Sequence, residues 1–292
     1  MEHVIRSNKP GISTSSIKTY MSLLKSLYYK KHEKSHADIN CDWFNEQDEI
    51  IKLLEDKAPS SRKTTYAALI AIAKDNEKYK ECLLNDGKTY DKFIKTQTKT
   101  EVQENNWKDF GEIKEIYETM YAKVKPLLSM KTIDAKDYKK LQDFIILSLT
   151  SGYWMPPRRS MDWVDFKIKN VDKSKDNYME KNEFIFNKYK TAKFYETQKV
   201  EIPKGLKAIL TKFVKLNPHE YLITNDKGNK ITNVRLTQIL NHIFGNNIST
   251  SMLRHIYLTD KLKDIPKLEE LEKLQAEMGQ GTLSQQLEYV KR

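Results

Sequence analysis

The sequence is poor in the residues that mark several classes of protein. Two cysteines in 292 residues, Cys41 and Cys82, leave no disulfide framework and no thiolate metal cage. Nine glycines, with no G-x-x-x-x-G-K-[ST] or G-x-G-x-x-G run among them, disfavour a nucleotide-driven enzyme. No apolar run reaches the roughly 18 residues that a spanning helix needs. The opening MEHVIRSNKPGIS has no apolar signal core. The expectation is an intracellular protein that is not secreted and has no membrane partner.

What is present is charge, and it is unevenly placed. Lys and Arg number 51 against 40 Asp and Glu, a formal net of +11. Residues 151–260 carry 19 basic against 11 acidic side chains, whereas 101–150 carry 8 against 9. Such concentration fits a polyanionic partner, and it also fits a Lys-rich solvated surface. A hydrophobic content of 39% argues against wholesale disorder, and the length predicts two domains.

One metal motif occurs by letter. His32, Glu33 and His36 spell H-E-x-x-H, two zinc ligands and a general base when all three lie on one helix. Here the motif falls in the polar stretch KKHEKSHADIN, after the apolar periodicity has stopped. The reading is a chance match at a solvated helix end, and no metal site is expected.

Residues 1–94 read as a small helical domain. Ile17, Tyr20, Met21, Leu24, Leu27 and Tyr28 recur on one helical face after the capping candidates Ser13, Thr14 and Ser15. A second helix follows Asp42, with Trp43, Ile50, Leu53 and Leu54 as its apolar residues. A third follows Ser60 and Ser61, carrying Tyr66, Leu69, Ile70 and Ala73. The polar run KTQTKTEVQENN, residues 95–106, lacks periodicity and reads as a linker.

Residues 107–292 change character. Helices are expected over Trp107–Val124 and Asp137–Thr150. Short strands are expected at 164–168, 183–187 and 198–203, with a lysine-bearing turn between the last two. Helices resume at Leu206–Leu216, Val234–Phe244 and after Ser249. The fold class is therefore α+β, mainly helical, with helices around a small antiparallel sheet.

Four islands in this second domain could carry chemistry. Arg159 stands three residues before Asp162, a spacing that would let the carboxylate hold the guanidinium. Arg158 is the alternative, and the spacing to Asp162 favours Arg159. Lys190 sits at the expected strand end in KYKTAKF. Arg254 lies inside an apolar helical pattern, where a guanidinium needs a structural or a ligand partner. Tyr289 ends the segment MGQGTLSQQLEY. Taken singly, these read as an intrahelical ion pair, a strand-edge lysine, a salt-bridged core arginine and a packed aromatic.

Their order is arginine, lysine in a hairpin, Leu-Arg-His in a helix, then tyrosine near the end. It resembles the tyrosine recombinase (phage-integrase) family across the whole chain. Arg159-Ser160-Met161-Asp162 is similar to that family's R-x-x-E, with Asp for Glu. Lys190-Thr191 is similar to its KT turn between two strands. Ser251-Met252-Leu253-Arg254-His255 resembles its H-x-L-R-H box, with Ser251 at the first His. Met278-Gly279-Gln280 with Tyr289 resembles its L-G-H-x₈-Y box, with Gln280 at the His.

The resemblance implies an N-terminal core-binding domain and a C-terminal catalytic domain clamping double-stranded DNA. It implies a homo-tetramer on DNA, a dimer per site. Arg159 and Arg254 would neutralise charge on the scissile phosphate, and Tyr289 would attack phosphorus to give a 3′-phosphotyrosine. Lys190 would protonate the departing 5′ oxygen. Ser251 and Gln280 would offer hydrogen bonds only, with Asp162 and His255 supporting. No cofactor, metal or ATP is implied. Arg62, Lys63, Lys193, Arg235 and Gln238 are the expected DNA contacts. Competing expectations are type IB topoisomerase-like relaxation, or a DNA-binding accessory protein weakened at Ser251 and Gln280.

The abundance of Lys, Ile, Asn and Tyr suggests an AT-rich genome, hence a virus or mobile element. Three residues follow Tyr289 in this sequence, so a long exchanged tail is not expected unless the chain continues beyond them. The helix expected after Pro266, with Leu268, Leu271 and Leu274, is the candidate protomer contact instead.

Overall fold

Capping residues and apolar spacing account for most of the helices in this computed structural model, which describes residues 1–33, 42–192 and 194–277. The chain divides into two compact units. One comprises residues 1–98 with the segment beginning at Lys267, and the other comprises residues 99–266. No described helix is long and apolar enough to cross a membrane.

In the first unit, α1 (Glu2–Asn8) precedes α2 (Thr14–His32). Ser13 caps α2, its hydroxyl accepting from the Ser16 amide at 3.1 Å. Ile17, Leu24, Leu27 and Tyr28 are buried as the spacing predicts, while Tyr20 and Met21 are half-buried. A 3₁₀ turn at Trp43–Asn45 leads to α3 (Gln47–Leu54), then α4 (Pro59–Ile72), which starts on a proline that has no amide to lose. Helix α5 (Glu77–Lys95) has no counterpart in the sequence expectation. Only Tyr79 and Asp86 on it are buried, and Arg62 of α4 holds that aspartate.

The H-E-x-x-H letters do not share a helix. Helix α2 ends at His32, whose ring lies 4.3 Å from that of Tyr28, and Glu33 adopts left-handed backbone at φ 51°. His36 lies outside the described residues.

The second unit opens with α6 (Glu101–Asn106), closed by a reciprocal capping box between Thr100 and Gln103. The segment read as a linker is therefore partly helical, because capping supplies order where apolar spacing does not. Helices α7 (Phe110–Val124) and α8 (Ala135–Thr150) follow. The second half of α8 is apolar nearly all round. Phe144, Ile145, Ile146, Leu147 and Leu149 are all fully buried, so it runs through the core. Ser148 and Thr150 on it return their hydroxyls to backbone carbonyls one turn back.

Helix α9 (Ser160–Val164) leads into a sheet of β1 (Phe166–Lys167), β2 (Asn177–Glu180), β3 (Glu183–Phe186) and β4 (Gln198–Glu201), in that order across the sheet. The expectation of a wholly antiparallel sheet needs one correction. The β2–β3 and β3–β4 pairs are antiparallel, with Tyr178 opposite Ile185 and Phe184 opposite Val200, but β1 pairs with β2 in parallel. Strand β2, Asn-Tyr-Met-Glu, is absent from the sequence expectation, since only Tyr178 and Met179 in it are apolar. Trp163, Phe166, Phe184 and Phe186 pack together, the indole meeting Phe184 edge-on at 5.2 Å.

Helices α10 (Lys204–Leu216), α11 (Asn233–Phe244) and α12 (Thr250–Lys261) complete this unit. Thr232 caps α11, Gly245 ends it at φ 68°, and Ser249 caps α12. Helix α13 (Leu268–Glu277) belongs to the first unit, where Glu272 pairs with Lys95 at 3.0 Å and Gln97 accepts from the Leu268 amide.

Candidate active site

Helix α9 gathers the arginines, but not in the pairing that the spacing predicts. Asp162 is bound by Arg158, whose Nε lies 2.8 Å from Oδ2, and not by Arg159. The reason is local. Arg159 is the N-cap residue, with extended backbone at φ −68° and ψ 150°, so its side chain leaves the helical face. Asp162, in the first turn, points back toward the N-terminus and meets the residue four positions earlier.

Arg158 is fixed three ways. Its second contact donates to the Gln198 side-chain oxygen on β4 at 2.9 Å, and its guanidinium lies 3.9 Å from the centre of the Phe186 ring on β3. Asp162 is 3% exposed, and its other carboxylate oxygen has no hydrogen-bond partner among the described residues. Burial pushes its pKa up, against the opposing pull of Arg158, Arg159 and Arg254.

Arg159 and Arg254 differ from Arg158. Both are half-buried, and neither makes an ion pair or hydrogen bond among the described residues. Arg254 sits on α12, and its guanidinium is less basic than usual, first through burial and then through the positive charge of Arg159. Asp162 pulls Arg254 the other way, but its carboxylate is already engaged by Arg158.

Lys190 is exposed on the 187–197 connection between β3 and β4. A residue missed in the sequence ties this connection to the arginine helix. Asn177, fully buried on β2, donates to the Asp162 carbonyl at 3.0 Å and the Lys188 carbonyl at 2.8 Å. Its oxygen accepts from the Asn187 and Lys188 amides at 2.9 and 2.7 Å. Farther along, the Tyr189 hydroxyl donates to the Glu196 carbonyl, closing the connection on itself. No pattern of charge or periodicity marks Asn177, because its work is with backbone.

Ser251 and His255 are exposed on α12, one turn apart and flanking Arg254. Gly152 sets the approach of this helix. Its backbone is left-handed at φ 88°, and a Cβ there would come within 2.6 Å of the Tyr257 ring of α12. Tyr289, Gln280 and Lys193 lie outside the described residues.

The remaining expected contacts separate. Arg62 donates from Nε to both oxygens of buried Asp86 at 3.1 and 3.0 Å and from Nη1 to the Glu55 carbonyl, so packing engages it fully. Arg62, expected as a DNA contact, thus forms an interhelical ion pair. The Lys63 ammonium lies 5.0 Å from the centre of the Tyr90 ring. Arg235 and Gln238 lie in the first half of α11, their side chains 3.4 Å apart.

No family model matches this sequence, and no curated protein matches it. Solved structures do. The chain is similar to XerA recombinase at 12% identity and a TM-score of 0.37, covering 100% of this chain and 92% of that one. It is similar to a lambda integrase fragment, residues 75–356, crystallised as a dimer bound to a COC′ core site, at 15% identity and a TM-score of 0.46 over 100% and 95% of the two chains. A longer lambda integrase dimer on the same site gives 15% identity and 0.46 over 97% and 74%. These neighbours are tyrosine recombinases.

Proposed function

We propose that this chain is a site-specific DNA recombinase or integrase that breaks and rejoins strands through a 3′-phosphotyrosine. The observation that carries the reading is that Arg159 and Arg254 are both half-buried and make no ion pair among the described residues, while Arg158 takes Asp162. A scissile phosphodiester supplies the missing negative charge, and the charge grows on its non-bridging oxygens in the transition state.

In this reading Tyr289 attacks phosphorus, the 5′ oxygen leaves with a proton from Lys190, and the phosphotyrosine keeps the bond energy for religation. Arg158 takes no part in phosphate binding; it engages Asp162 so that Arg159 and Arg254 remain available. The partner is double-stranded DNA, bound as a dimer per site and a tetramer in synapsis. The source is a virus or mobile element.

The test uses nicked suicide duplexes with a randomised core, from which covalent protein–DNA adducts are recovered and sequenced. A recurrent core sequence in adducts that vanish with Tyr289→Phe is the expected result. Adducts without sequence preference, with relaxation of any plasmid, would make the chain a topoisomerase. Specific binding without adducts would make it an accessory protein, the reading that Ser251 and Gln280 favour.

A further inference from the structure

A second pocket in the same unit shares no residue with the arginine cluster. It is a cavity of about 270 Å³ between α7, the loop after α8 and α10. Tyr117, Tyr121, Tyr153 and Trp154 supply its rings, and Glu118 and Lys212 its charges. The rings are fixed in place. Tyr153 stacks on Tyr117 at 3.8 Å and 17°, and Trp154 stands at 70° to Tyr153. The Trp154 indole donates to the Tyr117 hydroxyl at 2.6 Å, and the Tyr153 hydroxyl donates to Glu118. On its far side the indole abuts Gly205, where a Cβ would overlap the ring.

Two rings near a right angle with a carboxylate at their edge suit a cation. Ring faces attract it through their quadrupole, and the carboxylate adds direct attraction. Helix α7 exposes Glu115 and Glu118 one turn apart, while Glu112 pairs with Lys108 and the Lys125 ammonium lies 6.0 Å from the centre of the Tyr121 ring. The Glu115 and Glu118 carboxylates repel a nucleic acid backbone. Half-buried aromatic rings at a protein surface also fit a partner that brings an alkyl stem with its charge.

We propose that this pocket receives a lysine side chain, methylated or not, from a partner polypeptide. Lys212, on the rim, is the competing charge that sets its affinity.

The test titrates the full chain, ¹⁵N-labelled at its four tryptophans, with three capped tripeptides, Gly-Lys-Gly, its trimethyl-lysine form, and a neutral analogue in which carbon replaces the charged nitrogen. The Trp154 indole N–H resonance, assigned with Trp154→Phe, should move saturably with both cations. The neutral analogue should bind about tenfold more weakly. Glu118→Gln should weaken the cations about fivefold and Lys212→Gln should strengthen them about twofold. The ratio between the two cationic peptides tells lysine from its methylated form. Equal binding of the neutral analogue would overturn the proposal, as would indifference to both substitutions. So would a larger shift of the same resonance by thymidine, which would mark a site for an unstacked base. Thermal melts of each variant beside wild type show that loss of binding is not loss of fold.

Discussion

Arg62 and Arg254 both sit on helices, and both are partly buried, yet they face opposite surroundings. Arg62 meets the buried carboxylate of Asp86 with its own fork and a backbone carbonyl besides. Arg254 has no ion pair among the described residues, and Asp162, whose charge acts on it, is already held by Arg158. An arginine with its own acid completes a core, and Arg254, denied one, is the arginine proposed to meet a ligand. The rest of the site, from the lysine loop to the arginine helix, makes sense once that difference is seen.

Substituting both arginines sharpens it most. Arg254→Ala should cut the rate of covalent adduct formation by roughly 10²–10³, as loss of a transition-state donor does, with no loss of melting temperature. Arg62→Ala should do the reverse, leaving adduct chemistry in the folded fraction and costing about 3 kcal/mol in denaturant melts, because Asp86 stays buried without its partner. A destabilised Arg254→Ala with an unchanged adduct rate would break the comparison.

Asn177→Ala tests the latch between the arginine helix and the lysine connection. It removes four hydrogen bonds to backbone and should lower stability by about 2 kcal/mol, read by urea unfolding. It should also slow adduct formation more than its stability loss explains. Sulfate offers a gentler probe of the arginine pair. At about ten times its dissociation constant it should add about 1.4 kcal/mol to stability, and Arg254→Ala should abolish that gain.

The smallest effect concerns Asp143 on α8. Burial holds its carboxyl above the usual range, with Lys139, His242 and Arg235 pulling the other way. The folded chain therefore takes up this proton at a higher pH than the unfolded chain, and stability falls as pH rises through that interval. Asp143→Asn should flatten the slope in melts run between about pH 4 and 7. An unchanged slope would remove Asp143 from the account.

The same contrast explains what could be read in advance. Helices α2, α7, α8, α11 and α12 announce themselves because capping residues precede apolar positions at helical spacing, and α10 does so by its apolar spacing alone. Helix α5 and strand β2 do not, since α5 buries only Tyr79 and Asp86 and β2 sets just Tyr178 and Met179 side by side between Asn177 and Glu180. At the site, the types and order of Arg159, Lys190 and Arg254 are legible, as is the hairpin that bears the lysine. The partner of Asp162 is not, because spacing alone ignores that an N-cap residue has left the helix. Asn177 is invisible for a different reason: its four bonds reach backbone, which every sequence has.

Gly152 carries a consequence for how this protein can change over generations. Its left-handed backbone and the 2.6 Å approach to Tyr257 act on one position at once. Any side chain there pushes on the helix of Arg254, so relatives that retain Tyr257 should keep glycine at 152 while surface lysines drift freely around it. Position 152 is then expected to be a fixed point in the lineage, held by a ring on the other side of the contact.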